Sequence, residues 1–452
     1  MKDFFSSTNK IVTATAPGRM DVMGGIADYS GSLLLQMPIK ETTIVSIQKR
    51  KDGIFNLRTQ IEKNKNTDFT INISELKNKS LDGAGRFIKS LSGGDWAVYV
   101  IGCFFVLDKE KKIQLTGANV FIQSDVPWGK GVSSSAALEI ATMNALAQLY
   151  KLKLGKEELP LLAQKAENLV AGAPCGLMDQ LSSHLGQKNK LLPLVCQPHH
   201  VFDPVNIPRG VSFSGIDSGI RHAVSGASYT DVRVGTFMSY TIIALQEGVS
   251  VKELSYAKSS GDWSQLPYKG FLANIPVSVF EKKYSSLLPE KISGKSFMGQ
   301  FKTSIDSVTK IEIGKKYKPA VCGSHPVYEN YRIHEFKNLL ENFNLQKDKS
   351  TALTKMGELM LLSHESYSAV GLGNKFTNEI VQMVGEMGAG HGVFGARITG
   401  GGNGGTVCVL SYGKQGKETV KEIHHQFESR MKHKLFLFSG SSQGALSLNQ
   451  YI

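Results

Sequence analysis

Asp125-Val126-Pro127-Trp128-Gly129-Lys130-Gly131-Val132-Ser133-Ser134-Ser135-Ala136-Ala137-Leu138 decides how the rest of this chain is read. It follows a strand-like run at 118–122 and opens a helix. Leu138, Ala141, Ala145 and Leu149 recur at three- and four-residue steps on one face. Gly129 and Gly131 can take positive φ and let backbone approach a ligand closely. The serines can cap the helix and leave spare hydroxyls. Free N–H groups at a helix start, with the dipole behind them, attract an anion. One reading is a phosphate cradle; the other is an ordinary loop with a serine N-cap. The Walker pattern is excluded because no Gly-Lys-Ser/Thr follows the glycines at its spacing. A dinucleotide fingerprint is excluded because its third glycine is missing.

Upstream, residues 11–16 read as a strand. Pro17-Gly18-Arg19-Met20-Asp21-Val22-Met23-Gly24-Gly25-Ile26-Ala27-Asp28-Tyr29-Ser30-Gly31 follows as a loop with an arginine and two acids among glycines. It is either a binding loop for a hydroxylated ligand or a turn with a surface ion pair. Segments 33–37, 42–48 and 69–73 look strand-like, and polar 50–66 reads as a loop or hairpin tip. Residues 84–90 and 96–107 look helical, the second largely buried. Downstream of the cradle helix a second helix spans 156–171, with Glu167 late in it. Gly172-Ala173-Pro174-Cys175-Gly176 breaks it. Leu177-Met178-Asp179-Gln180 then starts another helix. Asp179 is either a rigidly held functional carboxylate or a helix N-terminal acid favoured by the dipole.

Strands are expected at 191–195, 211–216 and 406–410. Residues 217–229 read as a polar loop leading to a helix. Helical patterns dominate 230–258, 325–344, 350–370 and 375–387. Five glycines fall between Gly400 and Gly405, and their apolar flanks favour a buried, shaped turn. The alternation of elements predicts an α+β fold with a mixed sheet. A proline cluster (Pro198, Pro204, Pro208) suggests a division into 1–205 and 206–452.

The chain has 452 residues, 41% of them hydrophobic and 20% charged, which fits a soluble globular protein. The longest apolar run, 96–107, is too short to span a bilayer, and the start lacks a signal-peptide pattern. The five cysteines are far apart with no CxxC pair, which argues against a zinc knot or a disulfide framework. A reducing cytoplasm is the expected home. The net charge is +13, but lysines are interspersed with acids. A solvated surface is expected rather than a nucleic-acid site, and positive potential also suits a phosphorylated ligand.

Taken together, these stretches resemble the GHMP small-molecule kinases, within them the galactokinase branch. Pro17-Gly18-Arg19 through Asp28-Tyr29 is similar to the family's first motif. Pro127 through Ala137 resembles the second, the phosphate-binding loop, and Thr399 through Gly405 the third. Ala166-Glu167 and Pro174 through Gln180 resemble the galactokinase active-site segment. The resemblance implies a two-lobed α+β fold with mixed or antiparallel sheets and the site between the lobes. It implies ATP and Mg²⁺ as cofactors and a small-molecule sugar as phosphoryl acceptor. Asp179 matches the active-site aspartate and Arg19 the arginine beside it. Pro127, Gly129, Gly131, Val132, Ser133, Ser134, Ser135 and Ala136 match the nucleotide loop, and Trp96 a residue bordering adenine. Ser135 and Glu167 match Mg²⁺ ligands; Gly25, Asp28, Gly176, Asp179 and Tyr229 match sugar-contacting positions. A catalytically silent sugar sensor would be expected to have lost the loop or Asp179, and both are present.

One departure is informative. Galactokinases carry Gly-Glu-His-Thr-Asp-Tyr where this chain has Gly24-Gly25-Ile26-Ala27-Asp28-Tyr29. The family's glutamate contacts the sugar C6 hydroxyl, and here that position is Gly25. L-Arabinopyranose shares D-galactose's configuration at C2, C3 and C4 and has no C6. Residues 23–32 and 325–330 are similar to the kinase part of L-arabinokinases. The glycosyltransferase-like region that precedes the kinase in plant forms has no counterpart in this sequence, so a free-standing kinase is expected. Galactose or another sugar is the alternative acceptor. Exclusion of galactose calls for steric fill, with Ile26 the sequence's candidate, or for a hydroxyl left unpaired. Monomer and homodimer are both left open.

Overall fold

The computed structural model describes residues 4–62, 65–173, 175–221 and 227–449. They form two compact units. One takes the chain up to Met20, Gln36–Leu192 and the part from Phe438 onward; the other takes Asp21–Leu35 and Pro193–Leu437. The cut at 205/206 divides the sequence, whereas the packing units interleave along it. No helix among the described residues is long and apolar enough to cross a membrane.

In the first unit, β1 (Ile11–Met23) pairs with β2 (Leu33–Lys49), and the sheet continues through β5 (Ala118–Ser124) and β3 (Ile54–Glu62) to β4 (Lys65–Asn72). β2 runs antiparallel to β5, β5 parallel to β3, and β3 antiparallel to β4, so the sheet is mixed. Its helices are α1 (Leu81–Ser90), α2 (Gly94–Lys111), α3 (Ser134–Leu149), α4 (Glu158–Lys165) and α5 (Met178–Leu185). The core joins Phe55, Leu57, Val120 and Ile122 of the sheet to Ile101, Phe104, Ile140 and Met143 of α2 and α3.

Four local readings are corrected here. The polar stretch 50–66 is mostly strand: Phe55 and Leu57 alternate inward while Arg58 faces out and pairs with Asp68 across the ladder at 2.6 Å. Lysines masked a period-two pattern. The strand beginning at Ile11 does not stop at Pro17 but continues to Met23, and 33–37 and 42–48 are one strand. The helix expected over 156–171 is regular only to Lys165. Ala166–Val170 is a wider turn, closed by the Ala171 N–H donating to the Ala166 carbonyl at 2.9 Å.

In the second unit, strands Val393–Ile398, Thr406–Tyr412 and Val211–Asp217 form an antiparallel set. Helices Ala227–Gln246, Pro319–Glu341, Lys349–Val370, Lys375–Met387 and Gly413–Met431 belong to this unit. The pattern over 230–258 divides into two helices. The first ends at Gln246, and a capping box of Ser250 and Glu253 opens Val251–Ser260. The loop expected at 217–229 falls partly outside the described residues, at 222–226.

Burial lowers the imidazole pKa of His184, His325 and His364 to about 4, from 6.5. These rings are neutral in the folded chain, so unfolding takes up protons between about pH 6.5 and 4. The contribution of these rings to stability is therefore complete above that window and falls as the pH drops through it, by up to about 1.4 kcal/mol per pH unit for each ring. Thermal unfolding near pH 7.5 and pH 5 checks this. A Tm several degrees lower at the acid pH is expected; an equal or higher one refutes it.

Candidate active site

The phosphate-loop stretch begins one residue beyond β5 and ends at the start of α3. Gly129 (φ 73) and Gly131 (φ 71) both use the left-handed region, as a tight loop before a helix requires. Ser133 precedes α3 at φ 58 and makes no side-chain cap bond; its Oγ is buried without a hydrogen-bond partner. This corrects the capping role read from the serines for Ser133. The hydroxyl is held in reserve instead of being spent on the helix end. Ser134, Ser135 and Ala136 occupy the first turn.

β1 crosses directly against this loop. The Arg19 N–H donates to the Val132 carbonyl at 3.0 Å. A Cβ on Gly18 would lie 2.6 Å from that same carbonyl oxygen, so only glycine permits the approach. The Arg19 side chain then reaches two ways. Nη1 donates to the Gly131 carbonyl at 2.8 Å, while Nε and Nη2 both contact Asp179 Oδ1 at 2.8 Å. Arg19 is 4% exposed and Asp179 19%, so the pair is shielded without being sealed. Asp179 sits in the first turn of α5, and α5 is tied to β1 by Ser183 Oγ donating to the Pro17 carbonyl at 2.7 Å. Gly176 lies two residues before that helix.

Behind Asp179 lies a buried carboxyl cluster. Gln180 Nε2 donates to Glu167 Oε2 at 2.5 Å and to Glu139 Oε2 at 3.1 Å. The Cys175 thiol donates to Glu167 Oε2 at 3.1 Å, and Ser135 hydrogen-bonds the same carboxyl. Burial raises the Glu167 pKa, and the charge of Asp179 adds to it. Burial, then the charge of Glu167, raises Glu139 well above the carboxylate range. Glu139 Oε1 and Gln180 Oε1 have no hydrogen-bond partner. Three carboxyl groups are thus gathered with Arg19 as their one described ion-pair partner. Orphaned oxygens and mutual repulsion are what a divalent cation relieves, and hard oxygen donors suit Mg²⁺. Oxygen donors of this kind fit that ion.

Trp96 is half-buried at the start of α2, and its Nε1 is buried without a partner. Trp128 is half exposed and meets the Tyr99 ring edge-on at 5.9 Å.

The other sugar-assigned residues lie in the second unit. Gly25–Ser30 forms a short buried 3₁₀ turn, in which Asp28 Oδ1 accepts the Tyr29 N–H at 2.7 Å. The Tyr29 and Tyr229 rings meet edge-on at 6.1 Å, so Asp28 and Tyr229 belong to one local cluster. Asn330, from the 325–330 segment, braces the end of this turn by accepting the Leu33 N–H at 3.0 Å. The glycine-rich stretch is a buried, shaped loop, as its flanks implied. Thr399 Oγ1 accepts the Asp21 N–H at 3.0 Å, and the Gly400 N–H reaches Asp21 Oδ2 at 3.3 Å.

Residues 98–187, which hold the loop, Glu167 and Asp179, match the family described as the GHMP kinases N terminal domain. The chain carries a GHMP kinase N-terminal domain. Its fold is galactokinase-like: Lactococcus lactis galactokinase, solved with galactose, superposes with a TM-score of 0.72 over 98% of this chain and 96% of that one, at 21% identity. A mevalonate kinase superposes at 0.54 over 96% and 99%, at 17% identity. In sequence, the chain is 36% identical to L-arabinokinase of Arabidopsis thaliana over 489 aligned positions, which cover 98% of this chain and 46% of the relative. The chain thus spans less than half the length of that protein. It is 28% identical to galactokinase of Haemophilus influenzae (strain PittGG), covering 88% and 85%.

Two residues of this chain escaped sequence reasoning. Glu139 was readable only as an acid in a helix whose inner positions are mostly apolar. Tyr367 gave no local signal. Its hydroxyl reaches Gly25 from far along the chain, donating to the Gly400 carbonyl at 2.9 Å and accepting the Ile26 N–H at 2.7 Å.

Proposed function

We propose that this chain is a sugar 1-kinase whose acceptor is L-arabinose: ATP + L-arabinose → ADP + L-arabinose 1-phosphate. The observation that carries the chemistry is the Arg19 bridge, which fixes Asp179 to the Gly131 carbonyl and so sets a carboxylate beside the phosphate loop. Phosphoryl transfer needs in-line positioning and charge neutralisation more than covalent help from the protein. The N–H groups from Gly129 to Ala136 would bind the triphosphate, and Trp96 and Pro127 would border the nucleotide. Ser135 and Glu167 would hold Mg²⁺, which supplies charge neutralisation on the phosphate oxygens. Asp28, Tyr229, Gly176 and Gly25 would position the sugar. As the anomeric oxygen bonds to the γ-phosphorus and the bond to ADP breaks, its proton passes to Asp179, whose carboxylate Arg19 orients.

The acceptor assignment draws on the Arabidopsis relative and on glycine at position 25. ADP release by the purified protein with ATP and Mg²⁺ tests it, with L-arabinose, D-galactose and D-fucose side by side. We expect kcat/KM for L-arabinose to exceed that for D-galactose by about tenfold or more, the discrimination that one polar group in a shaped pocket supplies. Equal or better use of galactose discards the acceptor. No turnover with any sugar discards the kinase reading and favours a sugar sensor.

A further inference from the structure

We propose that Tyr367 is a specificity-determining residue, which takes up the space of a side chain at position 25 and so closes that part of the sugar pocket. The proposal rests on the assignment of the Gly25–Ser30 turn to sugar binding. A Cβ built on Gly25 falls 1.4 Å from the Tyr367 hydroxyl oxygen and 2.7 Å from Cζ, and Gly25 itself sits at φ +50. A tyrosine at 367 and any side chain at 25 therefore exclude each other in this arrangement. Steric fill beside the turn comes from Tyr367, not from Ile26 as the sequence suggested. Ile26 is buried in the apolar core with its N–H on the tyrosine hydroxyl.

The tyrosine is rigidly held. It is fully buried, with the Arg397 guanidinium over its ring at 5.1 Å and the His325 ring edge-on at 5.4 Å. Its hydroxyl accepts one hydrogen bond, from Ile26, and donates its proton to Gly400. Burial pushes the phenol pKa up, so the donor stays protonated. The wall at Gly25 is thus backbone, a phenol whose donor is already spent, and Asp21 Oδ2, which lies 3.0 Å from the built Cβ and is committed to Arg397 Nη1 and the Gly400 N–H. It leaves little volume for an exocyclic hydroxymethyl, and its one carboxylate is already engaged by Arg397 and Gly400. A pentopyranose loses nothing against this wall. A hexopyranose must crowd it or leave a hydroxyl unpaired, which costs about 10- to 100-fold in kcat/KM.

Tyr367→Ala, Tyr367→Leu and Tyr367→Phe test the proposal, each assayed with L-arabinose and D-galactose and melted alongside the wild type. Tyr367→Ala should lower the arabinose-to-galactose ratio of kcat/KM about tenfold or more, mainly through a lower KM for galactose. Tyr367→Leu keeps apolar bulk, removes the far end of the ring, and should move the ratio the same way even where the alanine variant unfolds. Tyr367→Phe keeps the ring. It removes the hydroxyl that overlaps position 25 and leaves Cζ beside it, so it should move the ratio toward galactose by less than Tyr367→Ala, while raising KM for both sugars because the Ile26 and Gly400 bridge is lost. A purely structural tyrosine would lower Tm and both activities together with the ratio unchanged, and that result overturns the proposal. A wild type that uses both sugars equally overturns it too. A wild type inactive on both sugars removes the kinase reading itself, a failure distinct from an unmoved ratio.

Discussion

Asp179→Asn is expected to lower kcat by about 100- to 10,000-fold, the range a positioned general base supplies, while sugar affinity changes little. The geometry makes the substitution specific. Arg19 Nε and Nη2 both approach Oδ1, and an asparagine oxygen can accept the same contacts, so the side chain keeps its place. What disappears is the negative charge and the basic oxygen. Charge loss also relieves part of the repulsion on Glu167 and Glu139, both of which Asp179 pushes toward the protonated form. Arg19 keeps its hydrogen bonds but loses the charge of its described ion-pair partner, so a melt of the variant beside the wild type separates lost activity from lost stability. Single-turnover ADP formation and calorimetric titration with L-arabinose separate the two readouts. A kcat within about threefold of wild type would show that proton transfer does not pass through Asp179.

The first unit's candidate site was legible because its parts are close in sequence or carried by short motifs. A glycine loop before a helix and an acid after a Gly/Pro break are local statements, and the structure keeps both. What sequence could not state were contacts made across the fold. Arg19 meets Asp179 and Gly131 only because β1 runs on past Pro17, where a proline and a glycine had suggested a loop. Glu139 turns inward with no ion-pair partner among the described residues, contrary to what an acid on a helix usually does. Tyr367 and Gly25 explain each other, yet neither residue announces the other. The lysines of 50–66 obscured a strand because an outward-facing row is free to be charged, and only Phe55 and Leu57 mark the inward face.

The second large effect is expected from Asp21→Ala. Asp21 Oδ2 receives Arg397 Nη1 at 2.9 Å, and both side chains are fully buried. Arg397 Nε donates to Ser363 Oγ at 2.9 Å, Ser363 donates to Glu329 Oε1 at 2.5 Å, and Glu329 pairs with Arg332 at 2.9 Å. Two guanidinium groups are thus balanced by two carboxylates away from water. Removing Asp21 leaves Arg397 buried with Glu329, 4.0 Å from Nη2, as its nearest remaining carboxylate. Breaking a buried pair by deleting one partner costs about 3–5 kcal/mol, a large share of the ~5–15 kcal/mol that holds a typical domain folded. The loss has a functional side, because Asp21 also receives the Gly400 N–H and hands its own N–H to Thr399. Urea unfolding should show the full loss in Asp21→Ala. The double variant Asp21→Ala/Arg397→Met, which removes both charges and keeps apolar volume, should recover part of it. A loss under about 1 kcal/mol in the single variant would place this network among ion pairs whose desolvation cancels their attraction. Recovery in the double variant without recovery of sugar turnover would show that the charges serve the glycine loop's shape, and that stability can be rebuilt from apolar packing alone.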